Sequence, residues 1–140
     1  MNKIFWLSVA GYFFATMAVA YPWHMLLFHD QYVAMGAFTR GEPIMPLGMA
    51  AIFIQVIVFA YFFPLYLSHR PAGNVIRRGV EFSLFMGLTV YTVMVFATAA
   101  KFAIEPVSQF LIYGTIFQFL QFLAVGIVLG LIHRPTGGLG

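Results

Sequence analysis

Few side chains in this sequence can do chemistry, and they fall into three groups. The first is His24, His29 and Asp30. Imidazole and carboxylate groups bind zinc or copper, so these three are a candidate metal set. The second is Gln55, Gln118 and Gln121, amides inside otherwise apolar runs. They can hydrogen-bond between helices, or meet the head of a quinone or carotenoid. The third is a repeat: His69-Arg70-Pro71 recurs as His133-Arg134-Pro135. Its cations can hold an anionic lipid headgroup, an anionic ligand or a partner's loop.

Each group also has a plainer reading. His24 and His29 are five apart and would not share one helical face. They then serve as interfacial polar residues beside Trp23. Gln118 and Gln121 are three apart on one face, and interhelical bonding is their simplest role. In His-Arg-Pro the cation suits a helix C-terminus. The proline disfavours helix at the residue before it. The repeat is therefore expected to stop two helices and anchor them in headgroups, through His69, Arg70, His133 and Arg134.

The segments that must position these residues are membrane spans. The chain has 140 residues, 62% hydrophobic and 8% charged. Soluble domains carry about 25% charged residues, and a small domain leaves much of its surface wet. Lipid is the expected solvent. A span needs about 20 apolar residues, and four segments qualify: residues 4–21, 44–67, 80–100 and 107–132. Ala18-Val19-Ala20 matches a signal-peptide cleavage pattern, but the first segment is read as a span. The expected fold is an all-α, four-helix transmembrane bundle forming one domain over residues 1–140.

Lys3, Arg70, Arg77, Arg78 and Arg134 fall on one side of these spans, and Arg40 and Lys101 on the other. The positive-inside rule then puts both termini in the cytoplasm. The bundle reads as two tandem hairpins. A shift of 64 positions also aligns Ile52-Phe53 with Ile116-Phe117 and Ala60 with Ala124. The one long outer loop, residues 29–43, is expected to hold a short helix. Asp30 would cap it, and Gly41 and Pro43 would end it.

Small residues predict where helices approach: Gly11, Ala15 and Ala18 on the first, Ser83 and Gly87 on the third, Gly126 and Gly130 on the fourth. The Gly126 stripe continues through Phe122, Gln118 and Gly114. Phe59, Tyr61, Phe62 and Phe63 encircle the second helix, and Phe117, Phe119 and Phe122 the fourth. Many of these rings must face lipid, a pigment or polyprenyl tail, or another protein.

Several functions are disfavoured. No ionisable residue falls near the middle of a span, as a proton relay, voltage sensor or ion-coupled carrier would need. No histidine sits where a bilayer-centre haem would need one. Without cysteine there is no disulfide, thiol redox chemistry or thiolate metal site. Seven basic residues and a net charge of +3 do not make a nucleic-acid stripe. Phosphate-loop, Ser-His-Asp, HExxH and paired-carboxylate patterns are absent, so no enzyme activity is expected.

The stretch Tyr21-Pro22-Trp23-His24-Met25-Leu26-Leu27-Phe28 and the segment Gly87 to Gly130 carry a resemblance. The chain resembles small four-helix bacterial membrane proteins of the domain of unknown function 1761 type. The resemblance implies the fold and no activity.

The leading expectation is a non-catalytic accessory or structural subunit of a larger complex in the bacterial inner membrane. Its partners would be other membrane subunits and lipids, with no nucleic acid. The absence of its own chemistry, the abundant aromatics and a glycine-rich stretch at 136–140 that a neighbour would hold support it. The alternative is a binding protein or small transporter for a lipid, quinone or carotenoid, and a weaker one is a metal-handling membrane protein. No cofactor is predicted, bound lipid is expected, and Gln55, Gln118 and Gln121 are the candidate ligand contacts.

Overall fold

The computed structural model describes residues 3–134. Pro135 of the second tripeptide and the stretch 136–140 lie outside the described residues. Four helices are long and apolar enough to cross a membrane: α1 (Lys3–Leu27), α3 (Met45–Ser68), α4 (Val75–Lys101) and α5 (Val107–Ile132). This is the signature of a multi-pass membrane protein. A short helix, α2 (His29–Ala34), follows α1, and no strand occurs among the described residues.

Two spans run further than their expected bounds, the first through residues whose apolar character extends to Phe28. The first continues past Tyr21 as a π-helical turn, Pro22–Leu27. Proline has no N–H and its ring crowds the carbonyl four residues back. The wider turn relieves that crowding, and the Phe28 N–H donates to the Trp23 carbonyl five residues back. The third begins at Val75, before the expected start at residue 80, because Asn74 caps it by accepting from the Arg77 N–H at 3.1 Å. That first turn is polar, so hydropathy marks the apolar boundary and misses the helix start. A second π turn, Thr92–Ala97, interrupts α4. The Thr89, Thr92 and Thr98 hydroxyls donate to nearby carbonyls there, a competition that bends helices.

The loop between α1 and α3 departs from expectation. Its helix is bounded by Phe28 and makes no side-chain cap bond, so Asp30 is not its cap. It ends near Gly36, at φ 75°, and not at Gly41 or Pro43. Only glycine takes that left-handed conformation without strain. Beside it, the Glu105 N–H donates to the Met35 carbonyl at 3.0 Å. This ties the loop to the α4–α5 turn. Tyr32, Met35, Val95, Ile104 and Phe110 pack into a small second core at this end of the bundle.

The main core lies between all four spans and contains Tyr12, Phe59, Phe63, Phe82, Phe122, Val125 and Leu129. Phe59 is its hub. Its ring lies 4.9 Å from Tyr12 and 5.6 Å from Phe82, both edge-on, and stacks on Phe122 at 5.7 Å. The encircling aromatics divide accordingly: Phe59, Phe63, Phe117 and Phe122 are buried, and Tyr61, Phe62 and Phe119 are exposed.

α5 is the central helix, 44% buried over its most apolar stretch, against 17% to 22% for the others. Its glycines explain why. A Cβ on Gly126 would lie 2.6 Å from the Val80 Cα, and one on Gly130 would lie 2.5 Å from the Ile76 Cα. A Cβ on Gly79 would collide with the Gly126 carbonyl, and one on Gly87 with the Phe122 ring. The α4 and α5 backbones thus meet where Ile76, Gly79 and Val80 face Gly126 and Gly130, and further along the Phe122 ring packs on Gly87. Gly79 is an addition to the sequence reading, hidden among Arg77, Arg78 and Glu81. α1 meets α5 less tightly, where Gly11 faces side-chain ends of Val128 and Ile132.

Candidate functional site

The π turn directs His24 inward, into an aromatic box. Its ring is 4.4 Å from Phe117, edge-on, and 4.9 Å from Tyr32, and its Nδ1 is buried without a partner. His29 stays at the surface, its Nδ1 3.3 Å from the Asp30 Oδ1. No group of three histidine, cysteine, aspartate or glutamate side chains suited to a metal occurs among the described residues, so His24, His29 and Asp30 are not brought together as a ligand set. The box closes through Trp23, whose Nε1–H donates to the Tyr32 hydroxyl at 3.1 Å. Burial pushes the Tyr32 phenol above its usual pKa, and the Trp23 bond works against this.

The three glutamines separate as well. Gln55 accepts from the fully buried Tyr12 hydroxyl at 3.1 Å, joining α3 to α1. Gln118 and Gln121 are both buried, on α5. Gln118 leaves its Oε1 without a hydrogen bond, so the interhelical bond expected of it is not made. The cause is its neighbourhood. Gln118 lines a cleft of about 230 Å³ between α4 and α5 with Leu84, Gly87, Leu88, Tyr91, Thr115, Phe119 and Phe122. The cleft's other polar groups, the Tyr91 and Thr115 hydroxyls, bond each other at 2.9 Å. Neither Gln55 nor Gln121 lines this cleft.

The repeated tripeptide does one structural job twice. The His69 Nδ1 lies 2.8 Å from the Leu65 carbonyl, and the His133 Nδ1 lies 3.0 Å from the Leu129 carbonyl. Each imidazole thereby donates to the carbonyl four residues back in the last turn, the Leu129 carbonyl also accepting the His133 backbone N–H and the Leu65 carbonyl the Ser68 hydroxyl. Beyond that the copies diverge. His69 is exposed, and Arg70 lies over the Tyr66 ring at 4.8 Å. His133 is half-buried, edge-on to Phe63 at 4.9 Å, with its Nε2 enclosed and unpartnered. No hydrogen bond, ion pair or ring contact joins His69-Arg70 to His133-Arg134 as one paired site.

The enclosed Nε2 makes His133 a pH-sensitive cap. Burial lowers its pKa, and the Leu129 bond offsets this only in part. The folded protein therefore holds this proton less readily than the unfolded chain does. The linked stability is present above the ordinary histidine pKa of about 6.5 and is lost as pH falls below it, levelling off under the lowered folded value. The thermal midpoint in detergent is expected to fall between pH 7.5 and pH 5.5. His133→Asn, which keeps a donor near Leu129 and cannot titrate, should fall less. An equal fall in both would remove His133 from the explanation.

The basic loop between α3 and α4, of which the sequence singles out Arg70 as an anchor and leaves Arg77 and Arg78 as flanking charge, forms a surface of its own. Arg70, Pro71, Gly73, Asn74, Arg77, Arg78 and Glu81 line a depression of about 300 Å³. The density of arginines in residues 70–78 was its one signal in the sequence.

No family model, curated protein or solved structure matches this chain.

Proposed function

We propose that this protein is a non-catalytic accessory subunit of a larger membrane protein complex. In this reading it sits in the bacterial inner membrane as two tandem hairpins with both termini cytoplasmic. The resemblance to domain of unknown function 1761 proteins belongs to the same reading and adds only the fold.

The observation that carries it is the uneven burial of the four spans. α5 is spent on internal packing, while α1, α3 and α4 turn most of their surface outward. That surface is rich in rigid rings: Phe14 is 68% exposed and Phe85 71%, with Phe53, Tyr61, Phe62 and Phe96 also outside. Lipid tails are as apolar as these side chains, so association in a bilayer depends on packing. Large aromatic faces offer dispersion contact to a neighbouring helix at low conformational cost. Among the described residues the buried polar ones are Ser8, Thr16, Ser83, Gln118 and Gln121, hydroxyls and amides that do not titrate in the physiological range.

Native mass spectrometry after extraction in mild detergent tests the proposal. The expected result is a particle heavier than the 15.7 kDa chain by the mass of other polypeptides. A lone chain without companions would overturn it. The second reading, a binding protein or small transporter for a lipid, quinone or carotenoid, is favoured by the α4–α5 cleft, where the unpartnered Gln118 carbonyl would accept from a hydroxyl-bearing head such as a quinol.

A further inference from the structure

We propose that the loop-side ends of α3 and α4 form a binding site for one anionic glycerophospholipid. The inference is independent of the accessory-subunit reading, because it concerns a groove within this chain alone.

Two surfaces meet there. The first is an apolar groove of about 670 Å³, lined by Phe62, Leu65, Tyr66, His69 and Arg70 of the α3 end and Phe82 and Met86 of α4. That volume falls within the roughly 300–1,000 Å³ of small-molecule pockets. Its lining has a direction. Phe62, Tyr66 and Arg70 are spaced by four, as are Leu65 and His69, and Phe82 and Met86. Such rows run along the helix axes. The groove is therefore parallel to the spans, as an acyl chain is.

The second surface is the basic depression, and Arg70 belongs to both. Stacking on Tyr66 holds its guanidinium at the junction. Arg78 turns back over the loop, so that a Cβ on Gly73 would lie 2.9 Å from its Nη2. Arg77 is engaged by Glu81 at 2.8 Å. Three guanidinium groups against one carboxylate leave a net charge of +2. Arg70 and Arg78 have no carboxylate partner among the described residues. Guanidinium pairs with phosphate in two-pronged fashion, and the positive end of α4 favours the same anion. An apolar trough ending in two unneutralised arginines is complementary to a molecule with an acyl chain at one end and a phosphate at the other. Basic pockets between transmembrane helices bind anionic headgroups by this chemistry.

The test uses the full chain in nanodiscs of phosphatidylglycerol and phosphatidylcholine, with retained lipid read by native mass spectrometry. Phosphatidylglycerol should be retained in preference. Each arginine is expected to contribute about fivefold, from roughly 1 kcal/mol per basic residue at an anionic surface. Arg70→Gln/Arg78→Gln should abolish the preference, and Arg40→Gln, in the other loop, should leave it intact. Met86→Trp fills the groove without changing charge and should reduce retention of both lipids. Should the double variant fail to give a monodisperse species, Met86→Trp decides: lost retention supports the site and unchanged retention overturns it. The proposal is also overturned if the parent shows no preference, or if inorganic phosphate displaces the lipid as well as added phosphatidylglycerol does, which would mean a bare anion site. Capture of a polypeptide instead of lipid by a photo-crosslinker at Leu65 would overturn it too.

Discussion

Gly126→Val is expected to destabilise the bundle by about 3 kcal/mol, the upper end of the overpacking range, while Gly11→Ala should change it by less than about 1 kcal/mol. Both positions are helical glycines on packed faces, and the difference lies in what each would strike. At Gly126 a Cβ meets Val80 Cα at 2.6 Å and the Gly79 carbonyl oxygen at 2.7 Å. These are backbone atoms that cannot rotate away, so α4 and α5 must separate. Separation opens a gap along the whole contact, and a sub-ångström gap already forfeits much of the dispersion energy. At Gly11 the Cβ meets the Ile132 Cδ1 at 2.6 Å and the Val128 Cγ1 at 2.8 Å. The Ile132 Cδ1 is the far end of a side chain that can swing away, and the stiffer Val128 methyl needs to give by only a few tenths of an ångström, with no backbone atom in the way. Alanine's better helix propensity, worth about 1 kcal/mol over glycine, offsets the cost of moving them. Unfolding in mixed detergent and dodecyl sulfate, followed by circular dichroism, would measure both. A Gly126→Val protein as stable as its parent would mean that α4 and α5 do not meet through their glycines.

The same contrast shows how far the sequence was legible. Four apolar runs announced the four long helices, because lipid demands a continuous run and tolerates few charges. The fourth run, residues 107–132, coincides with α5. Legibility failed where polarity and helix end part company. Asn74 starts α4 inside a basic stretch, and Pro22 widens α1 without ending it. Small residues on α5 pointed to a close approach, but the partner glycine at position 79 looked like part of a charged loop. The candidate site residues were harder still. Hydropathy cannot say which way a side chain turns, so His24, His29 and Asp30 read as one set although the π turn sends His24 towards Phe117. Gln118 and Gln121 read as bonded between helices, yet only Gln55 finds its partner, in Tyr12. The repeat was visible as letters, but its shared function, an imidazole on the carbonyl four residues back, depends on a side-chain torsion.

Gln118→Met is expected to stabilise the protein by about 1–2 kcal/mol, a gain that is unusual for a core substitution. A buried polar atom without a partner costs roughly 1–3 kcal/mol. The unfolded chain within a bilayer finds partners for its amides, which makes the bonded state worth less and the orphaned state relatively worse. Methionine matches the length of glutamine, packs irregular gaps and carries no strong acceptor. Removing the Gln118 Oε1 therefore removes a penalty without opening a cavity. The substitution also divides the two functional readings. If the α4–α5 cleft receives a hydroxyl-bearing head, as in a quinol or a hydroxylated carotenoid, the Gln118 carbonyl is held unpaired for that ligand's donor. The variant then gains thermal stability while its solvent extract loses the co-purified chromophore. If the cleft meets only lipid tails and other subunits, stability rises and the extract and complex are unchanged. A destabilised variant would contradict both, since it would mean that Gln118 is already bonded in the folded bundle and that the cleft beside Gly87 is closed.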